Sequence, residues 1–196
     1  MSGNSITPQN LTPLLEALGE QLGQQAHHFG LVVVGGSALL ALGLIDRTTL
    51  DVDVVALTTP SGLQSPEPLP APLVLARDRV ARDFAVASAW LNTGPAGLLD
   101  FGLPDGFLAR TTPVAFGAAL TVYFASRVDQ IHLKLYAMAD QGAGRHENDL
   151  RALQPTPDEL VVAARWTLTH DPSEPFLVVL HETLAHLGVV DVDLAT

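Results

Sequence analysis

The chain has no cysteine, a single lysine and no apolar run long enough to cross a bilayer. Each absence removes a class of protein. Without thiols there is no disulfide framework and no zinc site built on thiolates, which fits a cytoplasmic protein of bacterial type. Gly, Ser, Asp and Arg interrupt every greasy stretch, so no membrane span is expected. The opening residues, MSGNSITPQN, lack a basic region followed by an apolar one, so no signal peptide is expected either. Cations are scarce. Nine arginines and Lys134 stand against 21 acidic residues, for a formal net charge of −11. Such a chain repels nucleic acid at long range and can take it only through a local basic groove.

What is present is enough apolar material for a core. Hydrophobic residues make up 47% of 196 residues, which suits one large domain or one domain with a helical appendage. The richest stretch is LVVVGGSALLALGLIDRTTLDVDVVAL, residues 31–57. It reads as a strand, a Gly-Gly-Ser turn, a short apolar helix and a second strand. Asp51 and Asp53 flank Val52, and alternate side chains on a strand share a face. Two carboxylates on one face can hold divalent metal ions. Gly35, Gly36 and Ser37 lie where strand becomes helix, so bare backbone N–H groups and a helix dipole would meet a phosphate there. A phosphate cradle followed by paired carboxylates is chemistry for nucleoside triphosphates with Mg2+ or Mn2+.

Apolar spacing predicts a helix over 11–28, capped by Asn10 or Thr12. Strands are expected at 31–34 and 50–57, with a short helix at 37–44. Residues 58–72 carry five prolines and two serines and read as a loop with little regular structure. A helix is expected over 73–89, a turn-rich stretch over 92–106, and strands over 107–116 and 119–125. From Ser126 the pattern turns helical, with helices at about 128–139, 146–153, 157–169 and 174–187. The fold class expected is α+β. A small mixed β-sheet core flanked by helices occupies residues 1–126. A helical C-terminal part, 127–196, packs on it.

Gly36-Ser37, thirteen residues, then Asp51-Val52-Asp53 resembles the pattern of nucleotidyltransferases of the polymerase-β-like superfamily. The later segment SRVDQIHLKLYAMADQGAGRHENDLRAL, 126–153, resembles AbiEii-type toxin nucleotidyltransferases and a related uncharacterised bacterial family, with Lys134 and Asp149-Leu150 as the matching residues. The resemblance covers about residues 31–188, the Pro-rich loop excepted. It implies that Asp51 and Asp53 hold metal, that Gly35, Gly36 and Ser37 hold NTP phosphates, and that Lys134 adds a charge at the triphosphate. It implies that Asp149 positions Lys134 or acts as a base toward the acceptor. It further implies transfer of an NMP to a hydroxyl on tRNA or protein, with an antitoxin as a possible partner. The superfamily usually supplies a third carboxylate from a later strand, and residues 107–116 and 119–125 contain no Asp or Glu. A non-catalytic nucleotide-binding or antitoxin-like module therefore stands as one alternative. A small-molecule adenylyltransferase is another, because acidic clefts suit cationic substrates.

Other motifs fall away on geometry. His181-Glu182 and His186 look like a zinc-protease motif, but residues five apart on a helix point about 140° from each other. The chain has no P-loop, and Gly35-Gly36 lacks the third glycine of a dinucleotide fold. Trp90 and Trp166 are expected in the core or partly buried. Arg127, Arg145 and Arg151 are the candidates for an RNA-docking patch.

Overall fold

The computed structural model describes residues 4–194, and the chain divides into two compact units, Met1–Ser126 and Arg127–Thr196. The class is α+β, with a mixed six-stranded sheet in the first unit and helices throughout the second. Among the described residues no helix is long and apolar enough to cross a membrane.

The first unit opens with α1 (Pro8–Gln24), whose Leu11, Leu14, Leu15, Leu18 and Leu22 are all buried at helical spacing. Its cap is Thr7, not Asn10 or Thr12. The Asn10 N–H donates to Thr7 Oγ1 and the Thr7 N–H donates to Asn10 Oδ1, a capping box. Pro8 at the first helical position has no N–H to leave unpaired, so the helix starts three residues earlier than apolar spacing alone suggests. The sheet follows: β1 (Phe29–Val34), α2 (Gly35–Ala41), β2 (Val52–Thr59) and β3 (Gly62–Gln64). Then come α3 (Ala71–Phe84), β4 (Leu91–Asn92), α4 (Gly97–Phe101), α5 (Phe107–Arg110), β5 (Thr112–Phe116) and β6 (Leu120–Phe124). Strand order is β3-β2-β1-β6-β5, with β4 also paired to β2. β1 runs antiparallel to β2 and parallel to β6, and β2 runs parallel to β4. The apolar strands and α1 share one core, in which Leu31, Val33, Val52, Val54, Trp90 and Val122 are fully buried.

Three further expectations needed correction. The Pro-rich loop is not all irregular, because Thr58 and Thr59 remain in β2 and a hairpin returns as β3. The turn-rich stretch 92–106 begins on the last residue of β4 and contains α4. The strand expected over 107–116 is split: Phe107–Arg110 forms a helical turn behind Gly106, whose φ of 72° breaks any extended run.

The second unit holds α6 (Arg127–Gln141), α7 (Arg145–Ala152), α8 (Pro157–Leu168) and α9 (Glu174–His186). α6 packs against the other three. Thr156 and Glu159 form a capping box at α8, and Ser173 caps α9. Each cap is followed by Pro at the start of the helix, so sequence alone marks these beginnings well.

Candidate functional site

The β1–β2 register decides the geometry of the site. Val34, the last residue of β1, pairs with Asp53 near the start of β2. The chain then turns at Gly35, with φ 73°, into α2. This puts the glycine turn directly against the aspartate. A Cβ on Gly35 would lie 2.6 Å from Asp53 Oδ2, closer than real side-chain carbons come. Only glycine allows both the backbone angle and the approach. Gly36 is hemmed in from the other side, where its missing Cβ would meet Thr49 Oγ1 at 2.9 Å and Arg47 Nη2 at 3.5 Å.

Asp51 immediately precedes β2, and Asp53 lies within it. Val52 between them is fully buried, whereas both acids are partly exposed. That alternation turns both acids away from the buried face of Val52, and Asp53 is the one that meets Gly35. Ser37 is fully buried, and its Oγ has no hydrogen-bond partner. A buried hydroxyl without a partner costs about 1–3 kcal/mol. α2 has seven residues, fewer than two full turns, and its dipole is correspondingly small.

Two neighbours were not read from the sequence. Asn92 pairs with Asp53 across β2 and β4, and its Nδ2 donates to Asp53 Oδ1 at 3.2 Å. Arg47 brings a guanidinium beside Gly36. The signals were present but local: Asn-Thr-Gly at 92–94 is a turn pattern, and Arg47-Thr48-Thr49 leads into the acidic strand. Among the described residues no group of three or more His, Cys, Asp or Glu side chains that could hold a metal ion gathers. Neither Asp100, in α4, nor Asp129, in α6, lies in a strand.

Lys134 and Asp149 belong to the helical unit, and the structure joins them. Lys134 Nζ lies 2.7 Å from Asp149 Oδ2, and both residues are buried. Arg127 is committed locally. Its guanidinium grips Glu159 with both terminal nitrogens and donates to the carbonyls of Leu153 and Gln154. Its pKa is raised by the hydrogen bond to Glu159, and the Glu159 carboxyl is held below its ordinary value by Arg127 and the Thr156 N–H. Arg151 pairs with Glu147, which also meets His186 Nε2 at 2.8 Å. The donors of Arg127, one of the three arginines named for RNA docking, thus serve Glu159 and the carbonyls that follow α7. His181 and His186 are both exposed on α9, and Trp90 is fully buried, its Nε1 donating to the Arg77 carbonyl.

A family model described as a nucleotidyltransferase of unknown function (DUF6036) matches residues 9–152. The chain belongs to this family. The match spans the glycine turn, both aspartates, Asn92, Lys134 and Asp149, so nucleotidyl transfer is the general chemistry of the fold in hand. No curated protein and no solved structure matches the chain.

Proposed function

We propose that this DUF6036 nucleotidyltransferase moves an NMP from an NTP to a hydroxyl acceptor, with Mg2+ or Mn2+ held at Asp51 and Asp53. The observation that carries the reading is the register that seats Gly35 against the Asp53 carboxylate. It sets the glycine turn beside Asp53, one of two acids that alternate with the buried Val52. The donor set fits a hard cation, being all oxygen, partly exposed and completed by phosphate and water. Once bound, such an ion would neutralise charge on the phosphates and lower the pKa of the attacking hydroxyl.

The chain's own residues then have separable tasks. The backbone N–H groups of the Gly35-Gly36-Ser37 turn would meet the triphosphate. Ser37 Oγ, with no bond to give up, donates to a phosphate oxygen. Arg47 offers a planar guanidinium beside Gly36. In the reaction the acceptor oxygen bonds to the α-phosphorus and the bond to the β-phosphate bridging oxygen breaks. Pyrophosphate leaves, and the hydroxyl proton passes to a base or to water. The resemblance gives Lys134 a role at the triphosphate and Asp149 a role in positioning Lys134 or in serving the acceptor. The 2.7 Å contact between them supports the positioning role. A tRNA or protein acceptor, an antitoxin partner and a cytoplasmic setting rest on resemblance and composition alone.

The test is incubation with NTPs labelled at the α-phosphate, with Mg2+ or Mn2+, and with total tRNA, protein or small-molecule acceptors. Transfer of one NMP with stoichiometric pyrophosphate is expected, and Asp51→Asn and Asp53→Asn are expected to abolish it. Transfer that survives both substitutions ends the site assignment. A second reading, nucleotide binding without turnover, is favoured by one observation: β4, β5 and β6 contain no acidic residue. It predicts metal-dependent NTP binding with no pyrophosphate from any acceptor.

A further inference from the structure

Asn92 ends β4 beside Asp53, and both ends of its amide are engaged. The Gly94 N–H donates to Oδ1 at 2.7 Å, while Nδ2 donates to Asp53 Oδ1 at 3.2 Å. The first bond fixes the orientation of the amide. A backbone N–H needs an acceptor, so the oxygen faces Gly94 and the nitrogen faces Asp53. The other carboxylate oxygen, Asp53 Oδ2, lies against Gly35, 2.6 Å from where a Cβ would stand. One oxygen is tethered and the other is walled in. The terminal torsion of an aspartate is otherwise broad, so these two contacts select one plane for the carboxylate.

We propose that Asn92 is a positioning residue that fixes the plane of the Asp53 carboxylate for the cation without ligating the cation itself. The inference rests on the reading of Asp53 as a cation ligand. A ligand already oriented loses less freedom on binding. A neutral donor achieves this without the repulsion that a second carboxylate at the same place would bring.

The experiment titrates the full chain with Mn2+ alone and follows free Mn2+ by electron paramagnetic resonance. It uses the parent, Asn92→Ala, Asn92→Asp and Asp53→Asn. Asn92→Ala should weaken Mn2+ binding by about tenfold. Asn92→Asp keeps an acceptor for Gly94 but turns a carboxylate oxygen towards Asp53. It should melt at a lower temperature without Mn2+, recover when Mn2+ is added, and bind Mn2+ more tightly than the parent. Opposite shifts in the two variants are the signature, since a merely structural asparagine would weaken binding in both. Parent-like affinity in Asn92→Ala, or a loss in both variants, overturns the proposal. If Asn92→Ala does not fold, Asn92→Asp decides: recovery with Mn2+ supports the proposal, and its absence overturns it. Asp53→Asn separates the two levels. If it binds Mn2+ normally, the cation reading falls and this inference falls with it. If Asp53→Asn loses binding and Asn92→Ala does not, only the role of Asn92 falls.

Discussion

At the scale of single residues, Gly35 and Ser37 make opposite predictions about stability. Gly35→Ala places a methyl group at φ 73° and against Asp53 Oδ2. The left-handed angle alone costs about 1–2 kcal/mol, and the contact displaces the carboxylate. Lower stability in urea and weaker Mn2+ binding are both expected. Parent-like values in both assays would show that the turn relaxes freely. Ser37→Ala removes a buried hydroxyl that has no partner. Stability should hold or rise by up to about 1 kcal/mol, while NTP affinity falls. A thermal melt and an NTP titration read the two effects, and undiminished NTP binding would return Ser37 to packing. These residues were legible in the sequence because their chemistry is local. Glycine, serine and alternating acids carry their meaning at fixed short spacing. Asn92 was not legible because it reaches the site by pairing, through a two-residue strand thirty-nine positions from Asp53, and Arg47 because it lies in the loop between α2 and β2. No periodicity marks so short a strand.

At the scale of elements, the Lys134–Asp149 pair ties α6 to α7, and this changes what a lysine variant measures. Removing one partner of a buried ion pair costs about 3–5 kcal/mol, because the other charge stays behind. Lys134→Ala should therefore lower stability steeply. Lys134→Met with Asp149→Leu should recover much of it, and chemical denaturation of the four forms gives the coupling. Equal, additive losses would mean that the pair holds nothing together. Nucleotide binding by any Lys134 variant is interpretable only beside this measurement. On the other side of α6, His170 packs on Trp166 with ring centroids 4.3 Å apart, and burial lowers its pKa. As pH falls, the unfolded chain takes up this proton before the folded one. Stability from His170 is thus complete above about pH 6.5 and is lost as pH drops through the folded value. The lowered carboxyls of Glu147, Glu159 and Asp171 act in the same direction but only in more acid solution. His170→Phe should flatten the stability profile between about pH 7 and about pH 5, as read by melts across that range. An unchanged slope would assign the acid sensitivity elsewhere. Helix starts in this unit were readable because Thr156-Pro157 and Ser173 announce them. The Arg127–Glu159 tie was not, since the two lie 32 residues apart, whereas the resemblance already joined Lys134 to Asp149.

At the scale of the whole molecule, charge sets how substrates arrive. The chain carries a formal −11, and a free triphosphate is also strongly negative. Long-range repulsion opposes their encounter, and salt screens it over a Debye length that shrinks to about 8 Å at physiological ionic strength. The association rate for an NTP should therefore rise as salt increases from low values. Asp51 and Asp53 would then act at contact distance, where a divalent ion reverses the local sign. A tRNA acceptor makes the opposite demand, because it needs a basic patch and its affinity falls steeply as added salt makes counterion release less favourable. The arginines are a poor reservoir for such a patch, with Arg127 spent on Glu159 and Arg151 paired to Glu147. Stopped-flow NTP binding and transfer assays across a salt series divide the acceptor classes. If transfer to tRNA collapses with salt while NTP association accelerates, nucleic acid is held by a local basic surface. If transfer persists or rises with salt alongside NTP association, a protein or small-molecule hydroxyl suits this acidic chain better. NTP association that slows with added salt would contradict the electrostatic argument, and would show that positive potential at the glycine turn outweighs the acidic mean.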